Sequence, residues 1–282
     1  MQHLSQARQI FTGLIRRPDP LVPLAEAALV LAWEDQGGDD PRAALAELDS
    51  FAAAAAPSVC ATNDAVAQVR ALNDYLFGEL GFHGDPDCYR RPDPANSYLD
   101  QVLARRTGLP IMLSLIYLEV GWRLGLPLHG LALPGHFIVR LADPAGDIYL
   151  DPFGGGAIWS LADCERQIAS FYGESGPELT AMIMAPPSRR AILARILRNL
   201  KQTHLGHNDA PRALAAVERL LLLDPSDPGE LRDRGLLRLR VGRTHAAVED
   251  LERYARENPA ATDLAEIKGF VRDLMARVAP NN

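Results

Sequence analysis

The sequence predicts an α+β protein, in which a small antiparallel sheet lies between a helical N-terminal region and a helical repeat region. Residues 1–80 are predicted to be helical, and so is the chain after residue 188. Between these segments, HGLAL, HFIVRL and DIYLDPF (residues 129–153) have the composition of short strands, and residues 143–146 (DPAG) form a predicted turn. Helical and strand patterns therefore occupy separate parts of the chain, as an α+β protein requires.

Three helices are assigned to the N-terminal region. The first carries Leu21, Leu24, Ala28 and Leu31 on one face and ends at GGDD (residues 37–40). Pro41 is expected at the first position of the second helix, where its missing N–H costs nothing. The third begins at AVAQV and is expected to end near Gly81, before a loop rich in Gly, Pro and Asp.

The segment from Pro110 to Leu124 is predicted to be the central helix. Its sequence, PIMLSLIYLEVGWRL, is apolar on nearly every face, which is typical of a helix buried on all sides. Three strands are expected to follow it. The glycines at 154–156 are then expected to form a mobile loop that leads to a short helix.

The C-terminal part contains a repeat with a period of 34 residues. Asp224-Pro225 and Asn258-Pro259 are related by this offset, as are Ala213 and Ala247. This period, with small residues in the second helix and a terminal proline, is typical of tetratricopeptide repeats. Lys201 departs from the pattern. It lies 34 residues before Gly235, so the repeat predicts a small residue at this position. The predicted organisation is a helical region (1–92), a core (93–172), a linker (173–187) and a repeat region (188–282).

Composition excludes several classes of protein. The net charge of −7 makes nucleic acid an unfavourable partner. Three cysteines are too few for a disulfide framework or a zinc site, and they suit a reducing cytoplasm. The opening residues lack a secretory signal pattern, and the longest apolar run, residues 109–118, is too short for a membrane span. We therefore expect a cytoplasmic protein without a metal or other cofactor.

His136 and Asp151 flank the predicted hairpin. A four-residue turn at 143–146 pairs residues whose numbers sum to 289, and this pair sums to 287. The two side chains are thus expected to lie close enough for the carboxylate to orient the imidazole. Taken alone, the pattern fits a structural histidine at a strand end at least as well.

The pair needs a nucleophile to act in covalent catalysis. Ser114, one turn into the central helix, is more simply a buried hydroxyl bonded to the carbonyl four residues back. Cys88 lies in the loop next to the core and could approach the pair, whereas Cys60 and Cys164 are expected to be structural. Asn96 and Ser97 could donate to a backbone group or an oxyanion, but a cap of the helix that follows is favoured.

Two stretches of basic residues mark the repeat region. Such runs are usually solvated helix faces, and a basic concave surface that holds an acidic peptide is the sharper alternative. The residues assigned to that surface are Arg198, Lys201, Arg234 and Arg238.

Three segments together resemble the SirB-type bacterial transglutaminase-like/TPR family. They are YRRPDPANSYLDQVLARRTGLPIMLSLIYLEVGWRLGL, LPGHFIVRL and YLDPFGGG. The resemblance covers residues 20–270 and implies a papain-like α+β core. The wider superfamily uses a Cys, His and Asp triad. His136 and Asp151 match its last two members, and Pro110 stands at the position of its cysteine.

Two functions remain open from the sequence. The first is a protein- or peptide-binding or regulatory module, in which a transglutaminase-like domain without its nucleophile is joined to tetratricopeptide repeats. The second is a hydrolase or acyltransferase that keeps His136 and Asp151 and uses a different nucleophile. The candidates for that role are Ser114, Ser97, Cys88 or a water molecule.

Overall fold

A computed structural model describes residues 2–37, 41–173 and 177–278. The chain divides into two compact units, Met1–Ile196 and Leu197–Asn282. This division lies inside one helix, α9 (Arg189–Gly206), and beyond the predicted linker at 173–187. The described part of that linker contains a helix of its own, α8 (Pro177–Ile183). A linker role for the segment stays a prediction.

Among the described residues up to 79, most are helical, as predicted. The helices are α1 (Gln2–Ile15), α2 (Leu24–Gln36), α3 (Arg42–Val59) and α4 (Ala65–Asn73). Gly37 ends α2 in the left-handed conformation, with φ of 66°. Pro41 caps α3 from outside instead of opening it. The predicted third helix changes after Asn73 into a π-helical turn, Asp74–Glu79, a feature that apolar periodicity does not reveal.

The core of the first unit is built around α6 (Pro110–Arg123). Every side chain from Pro110 to Gly121 is buried, which confirms the prediction of a central helix. A two-stranded parallel pair, β1 (His83–Gly84) and β2 (Thr107–Gly108), precedes it on either side of α5 (Leu99–Arg105).

A four-stranded antiparallel sheet packs on α6, with its strands in chain order. The strands are β3 (Leu128–Leu131), β4 (Ile138–Leu141), β5 (Ile148–Asp151) and β6 (Ala157–Trp159). Val139 pairs with Leu150 and Leu141 with Ile148, so the register sum of 289 is the predicted one. The fourth strand, β6, lies in the segment that the sequence assigned to a loop.

Two further helices close the first unit. Helix α7 (Leu161–Tyr172) begins with a capping box, in which Ser160 and Asp163 each bond the other's backbone N–H. Helix α9 (Arg189–Gly206) begins where Asp19 accepts hydrogen bonds from the backbone of Arg189 (2.9 Å) and Arg190 (3.0 Å).

The second unit consists of helical pairs, as the 34-residue repeat predicts. It contains α10 (Ala210–Leu223), α11 (Pro228–Arg240), α12 (Thr244–Glu257) and α13 (Leu264–Val278). Gly235 on α11 lies against α12, and a Cβ there would approach Leu251 to 2.7 Å. The small residue therefore lets the two helices pack closely. Repeat-related residues, such as Ala213, Val217 and Leu251, belong to one apolar cluster.

None of the helices described is long and apolar enough to cross a membrane. In the same parts of the chain, no three His, Cys, Asp or Glu side chains are grouped so that they could hold a metal ion.

Candidate functional site

His136 and Asp151 lie together at one end of the sheet. Nε2 of His136 and Oδ1 of Asp151 are 2.8 Å apart, and only 12% and 10% of the two side chains are exposed. Asp151 Oδ1 also accepts the backbone N–H of Phe153 at 3.1 Å. The carboxylate therefore fixes the orientation of the imidazole. Among the described residues, Nδ1 of His136 has no hydrogen-bond partner, so it is the ring nitrogen left for a ligand.

Two aromatic rings enclose the imidazole. Trp159 on β6 stacks on it, with centroids 5.4 Å apart and planes at 17°, and Phe153 meets it edge-on at 5.9 Å. Phe153 also covers Gly84, where an added Cβ would lie 2.6 Å from the ring. Because β6 was not predicted, the role of Trp159 was missed. Its position eight residues after Asp151, beyond three glycines, gives no periodic signal.

Helix α6 is bonded to the chain segment that carries His136. Helix α6 begins at Pro110, with Leu109 as its cap residue. The sequence predicted that the Ser114 hydroxyl would bond to the carbonyl four residues back, and this prediction is wrong. The hydroxyl donates to the carbonyl of Phe137 at 3.0 Å, since the adjacent chain offers an acceptor outside the helix. This bond ties α6 to the residue that follows His136, and it engages the Ser114 hydroxyl.

Asn96 and Ser97 do not cap the helix that follows them, contrary to the favoured interpretation. Helix α5 begins two residues later, after Tyr98, without a side-chain cap. The backbone carbonyl of Asn96 accepts the N–H of Leu109 at 3.0 Å, and its side chain donates to Asp85 at 2.6 Å. Asn96 thus supports the start of α6. Within the described chain, Asn96 Oδ1 and Ser97 Oγ are buried without a hydrogen-bond partner.

The two buried cysteines, Cys88 and Cys164, lie in environments that raise the pKa of their thiols. Burial raises the pKa of the Cys88 thiol, and the charge of Asp85 raises it further. Burial likewise raises the pKa of Cys164 to about 11. A nucleophilic cysteine needs a lowered pKa, so the environment of Cys88 opposes the role considered for it.

This difference predicts the order in which the native thiols react. Cys60 is exposed, whereas Cys88 and Cys164 are buried. We expect iodoacetamide at pH 8 to modify Cys60 first and the other two only after urea unfolding, as measured by peptide mass spectrometry. Faster labelling of Cys88 than of Cys60 in the folded protein would restore Cys88 as a candidate nucleophile.

The basic residues assigned to the repeat surface are engaged in ion pairs. Arg198 contacts Asp227 and Glu230, and Lys201 contacts Glu230 and Asp233. Arg234 and Arg238 both contact Asp250, at 2.6 and 2.7 Å. Since each of these cations has a carboxylate partner within the unit, the contacts favour a structural role. Binding of an acidic peptide by them stays a prediction.

Arg195 and Tyr89 were not singled out as site residues, although both hold the loop that carries His136. The Arg195 guanidinium donates to the carbonyls of Leu133 (2.9 Å) and His136 (2.7 Å). The Tyr89 hydroxyl donates to the carbonyl of Gly135 at 2.8 Å. The sequence signal for Arg195 was its place in a basic stretch, which does not indicate a long-range contact. Tyr89 gave no signal.

Comparison with known proteins supports the two-part organisation. The family model described as "Transglutaminase-like superfamily" matches residues 42–198, and a tetratricopeptide repeat model matches residues 200–272. A UPF0162 protein of Xylella fastidiosa is 35% identical over 267 residues, which cover 94% of each chain. No solved structure matches the chain.

More distant relatives carry individual names. UPF0162 protein YchA of Escherichia coli K12 is 30% identical over 200 residues, 68% of this chain and 70% of that protein. Protein SirB1 of Salmonella typhimurium is 28% identical over 200 residues, with the same coverage. The chain therefore belongs to the SirB1/YchA-type (UPF0162) family, whose members join a transglutaminase-like core to tetratricopeptide repeats.

Proposed function

We propose that this chain is a binding protein and not a thiol-dependent enzyme, and that its C-terminal unit holds a protein or peptide partner. The observation that carries this proposal is the start of α6. The first turn, Pro110 to Leu113, contains no thiol or hydroxyl at the place where the superfamily keeps its nucleophile. The bond of Ser114 to Phe137 and the raised pKa of Cys88 support the same conclusion.

A groove in the second unit supports the binding role. It encloses about 410 Å³ and is lined mainly by apolar side chains of α9, α11 and α13, the first helices of successive pairs. Leu236 and Phe270 are 37% and 42% exposed there. Stacked helical repeats bind partners on surfaces formed by such equivalent helices, so the groove is the natural place for a peptide with apolar side chains.

A charge placed in the groove tests this role. We expect Leu236→Glu to lower the affinity for the partner at least ten-fold, because a carboxylate would have to be desolvated on binding. Leu222→Glu is the matched control, since Leu222 is also 37% exposed but does not line the groove. Partners captured by the full chain from a bacterial lysate are quantified by mass spectrometry and then titrated with each variant. Equal loss of binding in both variants would contradict the proposal.

The hydrogen bond between His136 and Asp151 favours a second candidate, a hydrolase or acyltransferase in which His136 acts as a base toward water or a substrate hydroxyl. His136→Ala distinguishes the two. The binding proposal expects an unchanged affinity for the partner. It also expects a loss of about 2 kcal/mol in unfolding free energy, because Asp151 loses a buried partner and Trp159 its stacking contact.

Urea unfolding and titration with the captured partner measure both quantities for His136→Ala. A specific hydrolytic or transfer activity that disappears in this variant, while its unfolding transition stays unchanged, would establish the enzyme instead.

We also propose a cytoplasmic location and no nucleic-acid partner. The three cysteines are free, as a reducing compartment allows, and the net charge is −7. Partition between the cytoplasmic and periplasmic fractions of cells that express the tagged chain tests the location.

A further inference from the structure

Side chains from four elements hold the loop that carries His136. Five consecutive backbone carbonyls accept their hydrogen bonds, at distances from 2.7 to 3.0 Å. The acceptors are the carbonyls of residues 133–137. The donors are Arg195 on α9, Gln167 on α7, Tyr89 in the loop after β1 and Ser114 on α6. A loop fixed at every carbonyl presents its neighbouring groups in one geometry, as a binding site requires.

Arg195 brings an uncompensated charge to this loop. Its guanidinium lies 5.6 Å from the centre of the Phe137 ring, and no carboxylate lies within 4.0 Å of it among the residues described. Burial lowers the pKa of Arg195, because desolvation disfavours the charged form. The carboxylate of Asp151 is already bonded to His136 and to the N–H of Phe153. An anion at Arg195 would therefore offset a charge that has no carboxylate partner among the residues described.

Exposed aromatic rings flank the same loop at Gly135. Tyr89 is 69% exposed while its hydroxyl bonds to the Gly135 carbonyl, and Phe171 is 59% exposed. The Phe171 ring covers Gly135 so closely that a Cβ there would lie 2.4 Å from it. The exposed aromatic rings therefore contact the loop at Gly135, and Arg195 is bonded to the carbonyl of the next residue, His136. Neighbouring Cα atoms are about 3.8 Å apart.

We propose that this loop binds the C-terminal residue of a polypeptide, with its carboxylate on Arg195 and its apolar side chain against Tyr89 and Phe171. The spacing supports a chain terminus, because a terminal residue carries its carboxylate and its side chain on a single Cα. Nη2 of Arg195 already donates to two carbonyls, so the carboxylate would accept a charge-assisted hydrogen bond from the Nε or Nη1 hydrogens. The site lies within the first unit and goes beyond the groove proposed above, so its failure would leave that function in place.

Titration of the full chain with three short peptides tests the proposal. They are N-acetyl-Ala-Phe with a free carboxylate, the same dipeptide as its amide, and N-acetyl-Ala-Phe-Asp-Ala amide, whose carboxylate is internal. Binding is followed by backbone amide shifts of the loop in nuclear magnetic resonance spectra. We expect the free carboxylate to bind at least ten-fold more tightly than either amide. Equal binding of all three, tighter binding of the internal carboxylate, or no binding at millimolar concentration would overturn the proposal.

Three variants then assign the contacts. Arg195→Gln is expected to remove the ten-fold preference for the acid over the amide, and Phe171→Ala to weaken both peptides. Arg189→Gln is the matched control, because Arg189 is also on α9, bonds a backbone carbonyl and lies over a ring, that of Trp122. A preference that survives Arg195→Gln, or that Arg189→Gln also removes, would contradict the assignment. Should Arg195→Gln fail to fold, the three peptides and Phe171→Ala decide the outcome.

Discussion

Replacing Lys201 with alanine is expected to lower the unfolding free energy of the C-terminal unit by about 3 kcal/mol. The Lys201 side chain is 7% exposed, and its ammonium lies 2.7 Å from Glu230 and 2.9 Å from Asp233. Glu230 is equally buried, so the variant leaves a carboxylate in the interior, with Arg198 as its one remaining ion-pair partner in the described part of the chain. Breaking a buried pair from one side costs more than the pair itself contributes, because the remaining charge stays desolvated.

Native-state hydrogen exchange of the α11 amides measures this loss. Lys268, the only other lysine of the chain, is exposed on α13 of the same unit and supplies the control. Lys268→Ala is expected to change the free energy by less than about 0.5 kcal/mol. Replacing the pair together, by Lys201→Met and Glu230→Leu, is expected to recover most of the loss. A loss below 1 kcal/mol for Lys201→Ala would mean that the pair is solvated.

The contribution of Lys201 to the unfolding free energy also depends on pH. Burial lowers the pKa of this ammonium, but the hydrogen bonds to Glu230 and Asp233 outweigh that effect and raise it. Because the pKa of Lys201 is raised in the folded state, its contribution to stability is fully present at pH values below the pKa that this lysine has in the unfolded chain. It is lost as the pH rises through the folded pKa, so it persists at neutral pH.

Replacing Pro110 with cysteine is expected to create a thiol with a pKa below about 7.5, against about 8.5 for an unperturbed cysteine. The side chain would stand at the first position of α6, where unpaired backbone N–H groups stabilise a thiolate. His136 is expected to add to this effect, because Ser114, one turn along α6 from residue 110, is bonded to the carbonyl of its neighbour Phe137. The thiolate absorbance at 240 nm, followed against pH after Cys60→Ser, measures the pKa.

Local patterns predicted most of the fold. The apolar run of α6, the turn at 143–146 and the 34-residue repeat each depend on neighbours in sequence, and each produced its element. Strand β6 and the π-helical turn after Asn73 were missed. A three-residue strand after glycines has no measurable period, and a single π-turn is too short to change the periodicity of the helix before it.

In the candidate site, only the pairing of His136 with Asp151 was predictable from the sequence. The register of one hairpin and the family resemblance were enough to place His136 near Asp151. The partners of Ser114, Lys201 and Arg195 were not predictable, since each lies 23 to 62 residues away along the chain. Such contacts depend on how the elements pack. Composition assigned Lys201 to a solvated face, whereas packing places it in the interior.

The central proposal is that Pro110 stands at the nucleophile position of the superfamily, and that a thiol placed there would lie near His136. The most direct test compares the thiol introduced by Pro110→Cys in two backgrounds, with and without His136→Ala. The rate of its reaction with iodoacetamide at pH 6.5 is measured in each. We predict a rate at least ten-fold higher when His136 is present, because the imidazolium stabilises the thiolate. Equal rates in the two backgrounds would contradict this proposal.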